Sequence, residues 1–280
     1  MNHRMIARLD IKGPNLVKGI HLEGLRVLGK PEDFARYYYE MGADELFYQD
    51  VVASLYERNS LHSVITKTAK ETFIPLTVGG GIRTIEDIRG VLRAGADKVS
   101  INTAAIKNPE FIKEATRTFG SSTIVVAIEC IKSNGKYLAY TDNGREFTGV
   151  EVLFWAKRVE ELGAGEICLT SVDNEGTGKG FDYELISMVA NAVSIPVIAH
   201  GGAGSVEDIQ KAISEGNADA VAIASILHYG YLSKDLAELG KRVEGNIEFL
   251  KNGHTFNKIK PVNLKEIKNH LRISSISCRY

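Results

Sequence analysis

The stretch IPLTVGGGIRTIEDI at Ile74–Ile88 returns as IPVIAHGGAGSVEDI at Ile195–Ile209, 121 residues later. The likeness extends upstream, where GADE at 42–45 faces GAGE at 163–166 at the same offset. Downstream, GADKVSINTAA from Gly95 faces GNADAVAIASI from Gly216 once one extra residue is allowed. Near the start, RLDIK at 8–12 resembles AIECIK at 127–132. Two halves of about 120 residues share one plan, a period too long for a solenoid.

Each half alternates short apolar runs with longer amphipathic stretches. The expected strands are Met5–Asp10, Glu45–Asp50, Leu76–Val78 and Lys98–Ile101, then Ile124–Glu129, Glu166–Ser171, Val197–Ala199 and Ala220–Ala224. Expected helices include Pro31–Met41, Leu61–Glu71, Thr84–Ala94, Pro109–Phe119, Gly149–Leu162, Asp182–Val193 and Ser205–Glu215. Two open on a capping residue and stop at glycine, Thr84 to Gly95 and Ser205 to Gly216. Strands apolar on both faces read as buried parallel strands. Eight strand–helix units in two similar halves predict a single α/β (β/α)8 TIM barrel with a C-terminal extension. An open doubly wound sheet leaves the repeat unexplained. The expected division is a barrel over 1–232, then an added segment and a terminal helix over 233–280 packed on it.

Composition excludes other classes. The 280 residues carry 34 Lys and Arg against 35 Asp and Glu, which argues against a protein built for the nucleic-acid backbone. No apolar run approaches a bilayer span, so no membrane partner is expected. Arg8 and Asp10 break the first apolar stretch, unlike a signal peptide. Three scattered cysteines, Cys130, Cys168 and Cys278, suit a reducing cytoplasm rather than a disulfide framework. His21, His62, His228, His254 and His270 show no ligand spacing, so neither a metal nor another cofactor is implied. Trp155 reads as outer-layer core, KNGHTFNKIK as a solvated loop, and the Cys278 tail as a frayed or docked end.

Barrel enzymes work at the C-terminal ends of their strands. The repeat puts Asp10 and Glu129 at equivalent ends of strands facing each other across the barrel, which equips one mouth with two carboxylates for acid–base work. Asp50 is a weaker third candidate. Gly79–Gly81 and Gly201–Gly204 follow the third and seventh barrel strands, and glycine lets backbone N–H groups approach an anion. Asn102-Thr103 and Ala224-Ser225 come one unit later in each half. Together these predict two anion sites on opposite sides of the mouth, fit for a substrate with a phosphate at each end. Arg4, Glu45, Lys98 and Glu166 stand at strand starts, where they can neutralise one another as a ring on the barrel floor. Such a ring is either a set of structural salt bridges or a gate on the barrel axis.

LDIK…LVKG at 9–19, DEL…D at 44–50, TVGGGI at 77–82, GADKVSINTAA at 95–105, GAGEICLTSVDNEGTGKGFD at 163–182, IPVIAHGGAG at 195–204 and the Ala224–His228 end carry a resemblance. From Arg4 to about His228 the chain resembles the cyclase subunit of imidazole glycerol phosphate synthase. The resemblance implies a barrel that receives ammonia from a glutaminase docked on its N-terminal face. Ammonia then meets a bisphosphorylated ribulosyl-aminoimidazole, giving imidazole glycerol phosphate and an aminoimidazole carboxamide ribotide. Asp10 matches the family's first catalytic aspartate. Arg4, Glu45, Lys98 and Glu166 match its gate. Lys18, Gly81, Asn102, Thr103, Thr170, Gly176, Gly202, Ala224 and Ser225 match its substrate and phosphate contacts.

The mouth departs from that pattern. Glu129 stands for the second catalytic aspartate, which moves its carboxylate by about 1.5 Å at full extension, and misplacement of about 1 Å can cost on the order of 100-fold. Arg8 replaces a small residue, His200 a serine and Glu175 an aspartate. The first βα loop, GIHLEGLRVLG at 19–29, is unusually apolar for a loop closing over a charged substrate. An added segment follows His228. These changes favour a paralogue of the kind found in surface-polysaccharide clusters, where ammonia forms acetamidino sugars with a separate ATP-using amidotransferase. The alternatives are a histidine-pathway cyclase and a non-catalytic conduit.

Overall fold

The computed structural model describes residues 2–53, 61–234 and 258–279. Its strands are β1 Arg4–Lys12, β2 Asn15–Ile20, β3 Glu23–Gly29, β4 Glu45–Asp50, β5 Leu76–Gly79 and β6 Lys98–Ile101. They continue with β7 Ile124–Ser133, β8 Lys136–Thr141, β9 Glu146–Glu151, β10 Glu166–Ser171, β11 Val197–His200 and β12 Ala220–Ile223. Eight of them pair in parallel in the order β1-β4-β5-β6-β7-β10-β11-β12. β12 pairs back onto β1, with Arg4 opposite Ala220, so the sheet closes into a (β/α)8 barrel. No helix among the described residues is long and apolar enough to cross a membrane.

Strand periodicity sorts side chains between two cores. Met5, Ala7, Leu9 and Ile11 of β1 join the large cluster under the helices, which also holds Trp155. Ile6 faces inward with Phe47, Val125, Ala127, Cys168, Ile198, Ala220 and Ala222, a separate apolar layer across the bore. The same alternation turns Arg4, Arg8 and Asp10 inward, stacked along one strand from floor to mouth.

The twin stretches form twin units. Helix Ile85–Ala94 is capped by Thr84, whose Oγ1 accepts from the Asp87 N–H at 3.1 Å while Asp87 accepts from the Thr84 N–H at 2.9 Å. Helix Val206–Ser214 repeats this box with Ser205 and Asp208. Gly95 ends the first helix at φ 120° as expected. In the second half the extra residue moves the left-handed position off Gly216 and onto Asn217, at φ 56°. Helix Leu264–Ile273 buries Leu264, Ile267 and Leu271, and Lys268 donates to Asp44 at 2.8 Å in a buried pair. The tail docks, the Cys278 backbone forming an isolated parallel β-bridge with that of His3. Of the added segment expected over 233–257, Ser233 and Lys234 end the helix Ser225–Lys234 and the rest lies outside the described residues.

The stretch at 19–29 is not an irregular loop. β1 and β7 each run past the barrel into an antiparallel hairpin, β2–β3 and β8–β9. The β2–β3 connection is the two-residue turn His21-Leu22, with φ of 53° and 62°. Positive φ on a histidine and a leucine is costly, and only surrounding contacts hold it. Glu175 supplies two of them: its backbone oxygen accepts from the His21 N–H and its Oε2 from the Leu22 N–H, both at 2.9 Å. Asn143, in the other hairpin's turn, donates to the Leu22 carbonyl at 3.1 Å. The apolar residues of the stretch are thereby roofing, drawn over the second half of the mouth.

Candidate active site in the barrel mouth

On the floor the four charged strand-start residues meet in an alternating ring. Arg4 Nη1 donates to Glu45 at 2.7 Å and to Glu166 at 3.0 Å. Lys98 Nζ lies 3.3 Å from Glu45 and 3.1 Å from Glu166. Two cations and two anions close on one another around the axis. This geometry accommodates both the salt-bridge reading and the gate reading.

Above the apolar layer Arg8 is buried facing the bore. Its guanidinium lies over the Phe47 ring at 5.4 Å, and its Nε donates to Asp10 Oδ1 at 3.0 Å. Burial opposes ionisation of Asp10, but Arg8 and Lys18 outweigh it and hold the carboxyl below its ordinary range. Lys18 Nζ is 3.8 Å from Asp10 Oδ2 and donates a short hydrogen bond to Glu175. Across the mouth Glu129 has a different setting. Burial raises its pKa from 4.5 to about 7, although the Gly144 N–H donates to it at 2.8 Å and Arg8 pulls the other way. The two carboxylates are thus split, one held ionised and one poised near neutrality, which is the arrangement acid–base pairs use. Behind them His228, fully buried, pairs through Nδ1 with the Tyr38 hydroxyl at 2.6 Å. Burial first, with Lys18 adding, pushes its pKa down to about 3, so it stays neutral.

The two expected cradles are unequal. Gly81, Asn102 and Thr103 line a cavity of about 370 Å³ together with Gly80, Asp50 and Glu129. Gly176, Gly202, Ala224 and Ser225 do converge in the second half, but with Glu175 and His200 they leave only about 10 Å³. Thr170 is engaged there, its Oγ1 3.1 Å from His200 Nδ1. Lys18, expected on substrate, faces Glu175 and Asp10. Sequence reasoning missed Arg83 and Lys107, cations on the lip of the open cavity, and Asp142, which lines it from the β8–β9 turn. The hairpin was the unforeseen element. Its signal, Asp142-Asn143-Gly144 after an alternating run, stands in the sequence.

The model of the family described as "Histidine biosynthesis protein" matches residues 4–233. A Legionella pneumophila protein named imidazole glycerol phosphate synthase subunit HisF is 59% identical over 208 residues, 74% of this chain and 98% of the relative. Proteins of the same name from Alkaliphilus metalliredigens (strain QYMF) and Methanococcus vannielii are 49% and 46% identical, covering 82% and 88% of this chain and 92% and 97% of their own lengths.

Proposed function

The chain belongs to the cyclase-subunit family of imidazole glycerol phosphate synthase, and from that premise we propose that it passes ammonia from a glutaminase to an acceptor other than the histidine-pathway bisphosphate. The favoured acceptor is a sugar destined for a surface polysaccharide, with a separate ATP-using amidotransferase supplying the activation. The observation that carries this reading is the second cradle, which His200 and Glu175 reduce to about 10 Å³, space for about one water. A substrate with a phosphate at each end finds only one seat.

The route for ammonia rests on Arg4, Lys98, Glu45 and Glu166, which guard the N-terminal opening of the bore. A glutaminase docking on that face is supported by Phe73, 79% exposed just before β5, beside a hollow lined by Ile74, Pro75 and Leu76. At the other end Asp10, ionised, is able to accept a proton. Glu129, protonated in part near neutrality, is able to give one, so the pair is equipped for proton transfer.

A second reading, ring closure to imidazole glycerol phosphate, is favoured by the names of the relatives and by the paired carboxylates. The two separate in one assay, turnover of the family's bisphosphorylated substrate by the purified chain with an ammonium salt at alkaline pH. The expected result is no turnover by the folded protein, with a Glu129→Asp variant run beside it. Turnover that is lost on Asp10→Asn establishes the cyclase instead.

A further inference from the structure

The two hairpins over the mouth are joined at the β8–β9 turn. Its residues Asp142, Asn143 and Gly144 hold three consecutive left-handed conformations, at φ of 52°, 64° and 78°. Such a run keeps its shape only where surrounding groups hold it. On the barrel side the Asp142 N–H donates to Thr103 Oγ1 at 3.2 Å. On the roof side Asn143, 8% exposed, donates from Nδ2 to the Leu22 carbonyl at 3.1 Å. Gly144 lies between these ties, and a Cβ there would meet Val172 at 3.2 Å and Leu22 at 3.7 Å. The Val172 carbonyl also receives the roof turn, 2.9 Å from His21 Nδ1. The β8–β9 turn is thereby clamped between the end of β6 and the roof.

What the clamp positions is the Gly144 N–H, which donates to Glu129 Oε2 at 2.8 Å. Arg8 faces Glu129 from β1, Asp142 from the turn and Asn102 from the end of β6, while Asp50, Arg83 and Lys107 share its cavity. Burial favours the neutral carboxyl, and the backbone N–H favours the ionised one. Moving that N–H by about 1 Å carries it out of hydrogen-bond range and leaves burial less opposed. A second tie between the hairpins, Arg145 to Glu23 at 4.0 Å, is exposed and does not reach Glu129.

We propose that Asn143 is a positioning residue: by tying the Leu22 carbonyl to the β8–β9 turn it holds the Gly144 N–H on Glu129, so the carboxylate is set for proton transfer only while the two hairpins are joined. A shift of the roof is felt at Glu129 through one amide side chain. This rests on the reading above only in giving Glu129 an acid–base role. It needs neither ammonia nor a glutaminase.

The test is NMR of the full chain without substrate, with carbon-labelled glutamate carboxyls and nitrogen-labelled glycine. In the native chain the Gly144 amide proton is expected to follow the Glu129 titration. Asn143→Gly tolerates the left-handed turn and removes only the side-chain amide. It should raise the Glu129 midpoint by about one pH unit and uncouple the Gly144 resonance from it. Glu23→Gln, which cuts the exposed tie, should change neither. A native Gly144 amide that ignores the Glu129 titration overturns the proposal, whether or not the variant folds. So does an unchanged midpoint in folded Asn143→Gly, or an equal shift in Glu23→Gln. Because nothing turns over in this measurement, failure of the ammonia reading leaves the titrations intact, and the reverse also holds.

Discussion

Arg8 and Asp10 stand two residues apart on the bore face of one strand, joined through Nε and Oδ1 at 3.0 Å with both side chains buried. An arginine in the axis of a barrel is tolerable only with such a partner, since an isolated buried charge costs several kcal/mol. The pair fixes the charge state of the mouth, with the Arg8 guanidinium lying over the Phe47 ring beneath it.

Removing the guanidinium therefore acts on both carboxylates. Arg8→Met should raise the pKa of Asp10 and push that of Glu129 above 7, read by carbon NMR of labelled carboxyls. The buried-pair loss is about 3–5 kcal/mol at neutral pH. Because Asp10 is depressed in the folded state, its contribution is full above its ordinary pKa and fades as pH falls through the lowered one. The difference between native and variant should shrink in acid. An unchanged Asp10 titration would refute the coupling.

Glu129 carries the opposite sign. Its folded pKa of about 7 lies above the ordinary 4.5, so the folded chain binds the extra proton between those values. Stability falls as pH rises through that window, by about 3 kcal/mol in all, and is flat above it. Glu129→Gln should raise Tm at pH 8 and leave it nearly unchanged at pH 4. Equal effects at both pH values would mean the group is not desolvated.

The floor ring predicts coupling. Lys98→Met leaves Glu45 and Glu166 with Arg4 alone and should cost about 1.5–3 kcal/mol in urea unfolding. Glu166→Gln should recover part of this, giving an interaction energy near 1 kcal/mol in a double-mutant cycle. Additive losses would show independent surface pairs. If the ring also gates ammonia, Lys98→Met changes glutamine-driven turnover in a reconstituted complex and spares turnover driven by ammonium salt.

Glu175 holds the roof. Glu175→Ala leaves the buried Lys18 with Asp10 as its remaining ion-pair partner and takes the acceptor from the Leu22 N–H of the left-handed turn, while the backbone contact to His21 stays. A loss of about 3–5 kcal/mol is expected, with new proteolytic cleavage near residues 19–24. Cleavage elsewhere at the same loss would place the contact's role in the core instead.

The barrel and the main residues of its mouth are legible in the sequence. The barrel followed from repeated strands and capping boxes, because Thr84 with Asp87 and Ser205 with Asp208 are local signals that tertiary packing does not override. Asp10, Glu129 and the two glycine turns were placed by the same repeat. The β2–β3 hairpin left no trace, since its turn is His21-Leu22 rather than Asn-Gly and its strand residues Leu16–Gly19 are buried on both faces. The β8–β9 hairpin carries its Asp142-Asn143-Gly144 signal, which the strong helical pattern directly after it masks. The closing of the second cradle was illegible, because Lys18 and Glu175 are 157 residues apart in the chain and only the folded roof brings them together.

The uneven cradles have an evolutionary corollary. A barrel assembled from two copies of one half begins with duplicate ligand seats, and duplication frees one copy to drift. Here Glu175 and His200 of the second half, with Lys18 of the first, close one cradle, while the other remains open. The charged ring, built from residues of both halves, does not share in that change. A change confined to one cradle thereby leaves the four ion pairs of the floor in place, so the two ends of the barrel can alter separately.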